Sequence, residues 1–441
     1  MNLESSRGEV RTQHLFRIGV LALFTAAFTI SLRGAVSADL KSQFLDPLDL
    51  ANSGALIGAV LGASFTGFAL TLFLTSAFLD YIGMGRMAVC SAVCAIVGTV
   101  ALIFTGPIAA ALGGGKAAYW VMFIAVLVTG IGWGCVESFT NPMTAALYPE
   151  ERTHRLNVLH AWWPAGLVAG GLVGVLVGKL HLNWQVVLAL TPIPALIYGY
   201  LALGEAFPAT EARTLQVPFK DMVLEVFRRP SFFIWFGAMF LTSASELAPG
   251  QWVQISLTHV VGMQGILLLV YISAIMFVAR HFAGSFEARL TATGLLWVSS
   301  LLAAIGLYLL GNADSPVSAL VAATFWGVGV CFMWPTMLAQ ASRRYPRGGA
   351  WSIGLVGAAG ALSIQFVLPA IGGIYDQAKL QAAGGEAAFA ALAPDGSEMA
   401  RVLAFAAQQS FRTLALFPVV LLVVFGGLWL ADRRSRVGKP A

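Results

Sequence analysis

The sequence predicts an all-α membrane protein of twelve transmembrane helices in two pseudo-symmetric six-helix halves. Three observations carry this expectation. Of the 441 residues, 58% are hydrophobic and 11% charged, against about 25% charged in a soluble domain; mean hydropathy is +0.80. Apolar runs long enough to cross a bilayer, about 20 residues each, recur twelve times. A series of paired residues in and after the fourth run returns, in order, in and after the tenth.

The runs centre near Ala26, Phe65, Val97, Gly132, Leu167, Pro194, Thr242, Ser273, Leu301, Val328, Ser363 and Val420. Several exceed the minimum length, so tilt or extension beyond the hydrocarbon is expected. The polar start MNLESSRGEVRTQH leads into a full-length span with no small-residue cleavage site, so no cleavable signal is expected. Cys90, Cys94, Cys135 and Cys331 all lie inside apolar runs, which argues against a disulfide framework or a metal site.

Lysine and arginine set the orientation. With both termini in the cytoplasm, nineteen of the 26 fall on inner segments, Arg280 and Arg289 between the eighth and ninth spans among them. Six fall on outer segments, and Arg33 lies within the first span. That asymmetry follows the positive-inside rule and fixes an even span count. The net charge of +5 is then a topology signal and not the footprint of a nucleic-acid partner. The one long inner loop divides the chain into a first half (residues 1–206), a cytoplasmic linker (207–230) and a second half (231–441). The outer stretch from Asp376 to Ser410, rich in Ala and Gly, reads as a loosely ordered loop with a short helix.

The halves echo each other. Trp133-Gly134, Tyr148-Pro149, an arginine loop, Ala161-Trp162 and Gly166-Leu167-Val168 are matched by Trp326-Gly327, Tyr345-Pro346, arginines, Ala350-Trp351 and Gly354-Leu355-Val356. Four pairs in register point to a duplicated six-helix unit. Parallel repeats with a site at their interface are a design of secondary transporters.

The fourth run carries the sharpest chemical signal. One carboxylate, Glu137, interrupts it, and an acid in hydrocarbon is expensive enough to be functional by default. Thr140, Asn141, Thr144 and Tyr148 follow at helical spacing, so one face is a polar stripe turned to a water-filled cavity or to another helix. Pro142 removes a backbone donor and predicts a bend.

These residues resemble the fucose:proton symporter branch of the major facilitator superfamily. The branch's Glu-x-x-x-Asn-Pro is present as Glu137, Asn141 and Pro142, and its Arg-Leu-Asn as Arg155-Leu156-Asn157. The superfamily's loop after the second span is present in degenerate form as DYIGMGR, Asp80 to Arg86, with Tyr81 where a base is usual and one extra residue before Arg86. The resemblance implies the major facilitator fold, with Glu137 in the sugar and proton path and Asp80 and Arg86 in gating. It also makes Asp39 the candidate for the aspartate that the family carries late in the first span. That residue and Lys41 could equally mark the exit to water. The family's fifth span has a glutamine and an asparagine where this chain has His160 and Trp163. An imidazole and an indole in place of two amides leave the particular substrate open, since an indole stacks on a sugar face or on a flatter ligand.

Four further places offer polar or aromatic groups. Arg33, deep in the first span, could snorkel outward, pair with an intramembrane acid, or bind an anionic substrate. In the seventh span Glu246 precedes Pro249-Gly250, Gln251 and Trp252. A helix broken at that pair would free carbonyls toward a cavity, and Glu246 and Gln251 could bind hydroxyls, gate, or pair helices. Trp326 and Trp334 in the tenth span serve equally as packing or as substrate platforms. Gln365 is the one amide deep in the eleventh run.

No His-Glu-x-x-His or Gly-x-Ser-x-Gly pattern occurs, and ALGGGK lacks the phosphate-loop spacing. An enzyme, a metal site and a cofactor are therefore not expected. The sequence reads as a monomeric, multi-pass transporter of the bacterial inner membrane, importing a neutral sugar with protons by alternating access. The alternatives are an exporter or an organic-anion or drug transporter of the same fold; a transporter-derived sensor or membrane enzyme lacks the motifs it needs. The topology makes a direct prediction: reporter fusions after Pro218 and after Gly396 give cytoplasmic and external signals respectively. The same signal from both would overturn the twelve-span reading.

Overall fold

In a computed structural model, residues 10–49, 52–180, 183–261, 265–393 and 396–437 are described, and among them there is no strand. Among the described residues eleven helices are long and apolar enough to cross a membrane, and the count is twelve if a helix pair bent by 63° forms one span. The spans are α1 Thr12–Ala35, α2 Ser53–Ile82, α3 Met84–Ile103, α4 Ala117–Leu147, α5 Arg152–Leu180 and α6 Trp184–Leu201 in the first half. In the second half they are α7 Pro230–Val261, α8 Gly265–Arg280 continued by Ala283–Leu290, α9 Ala292–Leu310, α10 Pro316–Arg344, α11 Gly349–Ala383 and α12 Leu416–Val437.

The chain divides into two compact units: residues 1–232 with 341–358, and residues 233–340 with 359–441. In the first, glycines bring helix backbones together. A methyl group on Gly67 of α2 would sit 2.5 Å from the Leu127 carbonyl of α4, and one on Gly166 of α5 would sit 2.5 Å from the Phe24 carbonyl of α1. Gly130 of α4 lies against the Ser64 backbone so closely that no side chain fits between them. In the second unit Gly306 of α9 meets the Trp326 backbone of α10 in the same way. Hydrocarbon gives helices no hydrophobic reason to associate, so close backbone packing at small residues does that work.

The sequence repeat is a repeat of packing. Trp133-Gly134 sets Gly134 against Thr71 of α2, and Trp326-Gly327 sets Gly327 against Ile272 of α8. Tyr148 lies edge-on to Phe16 of α1 at 5.6 Å between ring centres, and Tyr345 lies edge-on to Phe232 of α7 at 5.2 Å. Each motif thus touches the second or first helix of its own half.

Two expectations are corrected. The helix of α7 runs on through Pro249-Gly250. A proline inside a long helix removes one hydrogen bond, and the flanking bonds can hold the remainder. The outer stretch after Asp376 is mostly helical: α11 continues to Ala383, and helices Glu386–Ala390 and Ser397–Leu414 follow. Alanine, the best helix former, dominates there, and Val402, Ala406, Phe411 and Leu414 give the last helix a buried face. Residues 394–395 lie outside the described part. The linker also folds, into helices Glu211–Thr214 and Phe219–Arg228.

The close approach predicts a contrast between two glycines. Gly130→Ala must separate α2 from α4 and is expected to destabilise by about 1–3 kcal/mol, as overpacking does. Gly62→Ala on α2, with open space around it, should be neutral or slightly stabilising. Thermal unfolding of the two purified variants in detergent checks this; equal midpoints would contradict it.

Candidate functional site

The polar stripe of α4 is buried against other helices. Glu137 is 4% exposed, and Thr140, Asn141, Thr144 and His160 of α5 are buried with it. Asn141 bridges the two ionisable groups. Its Nδ2 donates to Glu137 Oε2 at 2.6 Å and to the Glu137 carbonyl at 3.0 Å, and its Oδ1 lies 2.9 Å from His160 Nε2. His160 Nε2 itself is 3.9 Å from Glu137 Oε2. An amide has one donor end and one acceptor end, so this arrangement makes Oε2 an acceptor and puts a proton on Nε2. Farther along the stripe, the Thr144 hydroxyl has no hydrogen-bond partner among the described residues.

Trp163, half-buried one turn along α5, stacks on Trp133 of α4 at 4.8 Å, and Trp133 stacks on Phe68 of α2 at 3.8 Å. One face of Trp163 is therefore taken by the protein. Trp133 also borders a small cavity of about 20 Å³ whose wall includes Arg33. Arg33 is held by two hydroxyls, Nη1 donating to Thr129 and Nη2 to Ser64, both at 2.9 Å. It neither snorkels nor pairs with Glu137. Asp39 is exposed on the short helix Ser37–Leu40, and its carboxylate has no hydrogen-bond or ion-pair partner among the described residues.

In the second unit, Arg280 was expected in a cytoplasmic connection. It is instead buried, donating to the Cys331 carbonyl at 2.6 Å and to Glu246 Oε1 at 3.1 Å. Arg280 closes the helix Gly265–Arg280, directly before the 63° bend. Glu246 is consequently engaged by a protein cation through one oxygen, while its Oε2 lacks a hydrogen bond. Trp334 is buried with its ring pressed on Gly360 of α11, a packing role. Gln365 lies on an exposed face of α11. The side chain of Gln251 lies outside the described residues.

The gating candidates do not meet each other. Both oxygens of Asp80 accept from the Thr210 hydroxyl of the linker at 2.8 Å, and Arg86 is exposed. The sequence reading missed a second contact of the linker. Glu211 pairs with Arg152 at the start of α5 and accepts from Ser342 at 3.0 Å, and Arg152 donates to Ser342 at 3.1 Å. Glu225 pairs with Arg229 and Arg347 in a similar way. Both clusters join the linker to residues 341–358 within the first unit. The signal for them was the mixture of acids and bases in the long inner loop, which gives composition but no partner.

No curated protein matches the chain by sequence. Among solved structures, the proton:xylose symporter XylE bound to 6-bromo-6-deoxy-D-glucose is 15% identical, covers 93% of this chain and 94% of its own, and gives a TM-score of 0.70. The Escherichia coli fucose:proton symporter FucP is 15% identical over 92% of this chain and 98% of its own, with a TM-score of 0.65. The human organic anion transporter MFSD10 is 13% identical over 95% and 100%, with a TM-score of 0.67. At such identities the likeness shows the fold. A family profile for the Major Facilitator Superfamily matches residues 18–367, and with that span of the twelve-helix chain accounted for, the protein is a membrane transporter of the Major Facilitator Superfamily.

Proposed function

We propose that the chain is a proton-coupled symporter that imports a sugar-type, hydroxylated solute across the bacterial inner membrane, with both termini in the cytoplasm. The observation that carries this reading is the Glu137–Asn141–His160 network: a titratable acid in the membrane, bonded across two helices through one amide. A proton arriving on Oε2 would meet the Asn141 N–H already pointing there. Asn141 must then turn or withdraw, and its contact with His160 loosens or reverses. Protonation is thereby coupled to the fit between α4 and α5, which a transporter needs if proton binding is to favour one access state over another.

The outer face of Trp163 supports a cargo with an apolar ring face, and the amide and imidazole beside it supply groups for hydroxyls. The fold likeness to XylE and FucP supports a sugar, and the likeness to MFSD10 shows that the same fold serves organic anions. The Arg152–Glu211–Ser342 cluster would have to open for residues 341–358 to leave the first half during the cycle.

Proteoliposomes loaded with Glu137→Gln test the coupling role. Glutamine keeps hydrogen bonding and cannot titrate, so accumulation of labelled D-xylose or L-fucose driven by a proton gradient should be abolished, while exchange between equal pools survives. Normal accumulation by this variant would reduce Glu137 to a structural hydrogen bonder. Trp163→Ala should weaken binding of the accumulated sugar by about 1–3 kcal/mol, the range seen when a ring is stacked on an aromatic platform. Unchanged binding in a titration followed by intrinsic fluorescence would remove Trp163 from the site.

A further inference from the structure

We infer that Arg33 anchors a binding site for a small monovalent anion inside the first half, distinct from the Glu137 network. The guanidinium is 3% exposed within a transmembrane helix. Only neutral partners hold it: the hydroxyls of Thr129 and Ser64, which spend their own protons on the Val126 and Leu61 carbonyls. Two of five N–H donors are thus used, and Nε has no acceptor. No carboxylate pairs with Arg33 among the described residues.

The other intramembrane arginine shows what is missing. Arg280, equally buried, has Glu246 at 3.1 Å and a carbonyl at 2.6 Å. A buried ion without a counter-charge carries a penalty of several kcal/mol, and hydroxyl dipoles offset only part of it. The charge that Arg33 lacks can come from the cavity it borders. That cavity, about 20 Å³, has room for one occupant of water size, which admits a small halide, or one oxygen of a carboxylate whose remainder lies outside it, and excludes a whole sugar. Trp133 forms part of the same wall, so a carboxylate there would lie beside the aromatic stack that ends at Trp163. The shared chemistry is a compact single negative charge meeting the unused guanidinium N–H groups.

The test is thermal unfolding of the full-length protein in detergent, at constant ionic strength set by a bulky sulfonate too large for the cavity. Sodium chloride, sodium acetate and sodium gluconate are titrated in turn, with D-xylose as the neutral control. A ligand that binds only the folded state raises the midpoint saturably. Wild type should rise by several degrees with at least one anion, and Arg33→Gln should stay flat. A response to chloride identifies a free inorganic ion; a response to the carboxylates alone identifies the acid group of an organic ligand, which would extend the cargo from sugars to hydroxylated acids. Should Arg33→Gln fail to fold, Arg33→Lys keeps the charge with fewer donors, and its titration should shift about tenfold to higher concentration, while Gly62→Ala, outside the cavity wall, responds like wild type. A flat wild type overturns the site, as does the same titration curve in wild type and every folded Arg33 variant. The result is separable from proton coupling, since Glu137→Gln should retain the full anion response.

Discussion

An ionised side chain surrounded by hydrocarbon must bring its compensation with it, because no water is there to supply it. Three buried arrangements in this transporter meet that demand in three ways. Arg280 and Glu246 neutralise each other directly. Glu137 is bonded through Asn141 to the imidazole of His160. Arg33 is surrounded by hydroxyls alone. The difference between these solutions separates the roles. A directly paired acid and base tie α7 to α8, an acid bridged to a histidine couples α4 to α5 through one amide, and a cation with dipoles only leaves donors for a ligand.

The glycine contacts make those arrangements possible. Ser64 reaches Arg33 from α2 because Gly130 of α4 lets the two backbones touch at that residue. Thr129, the other hydroxyl, is its neighbour on α4. The same close packing places Trp133 between Phe68 and Trp163, so the aromatic stack and the arginine cavity share one structural origin. A larger residue at that crossing would disturb both together.

Much of this was legible in the sequence, and the reason is physical. Span length and loop charge are local properties, so an all-helical membrane protein of eleven to twelve apolar helices among the described residues follows from them. Glu137, Asn141 and His160 were legible because helical spacing and a resemblance in α4 and α5 point to the same face. What could not be read was pairing across the fold. Arg280 sits at the end of an apolar run, where a loop cation and a buried one look alike; only its contacts with Glu246 and the Cys331 carbonyl, made across the fold, decide between them. Pro249-Gly250 was expected to break α7, yet the helix continues. Trp334 read equally as packing or as a platform, and only the fold sets Gly360 against its ring; whether an acid faced Arg33 depended on helix rotation, which periodicity does not fix.

The buried acid and the linker's ion cluster involve the same pair of helices. α4 ends at Leu147, one turn beyond Thr144, and α5 begins at Arg152. His160 follows Arg152 by eight residues, about 12 Å along a rigid helix. Asn141 bonds His160 at one end of this stretch, and Glu211 with Ser342 hold Arg152 at the other. A shift of α5 against α4 at the amide would therefore be felt at the ion cluster without any long chain of intermediates, because a helix transmits displacement along its length. The linker stands at the receiving end, tied to α2 through Asp80 and Thr210 as well as to α5. In this arrangement the short linker helices are mechanical parts: they join α2 and α5, and through α5 the Glu137 network, to the segment 341–358.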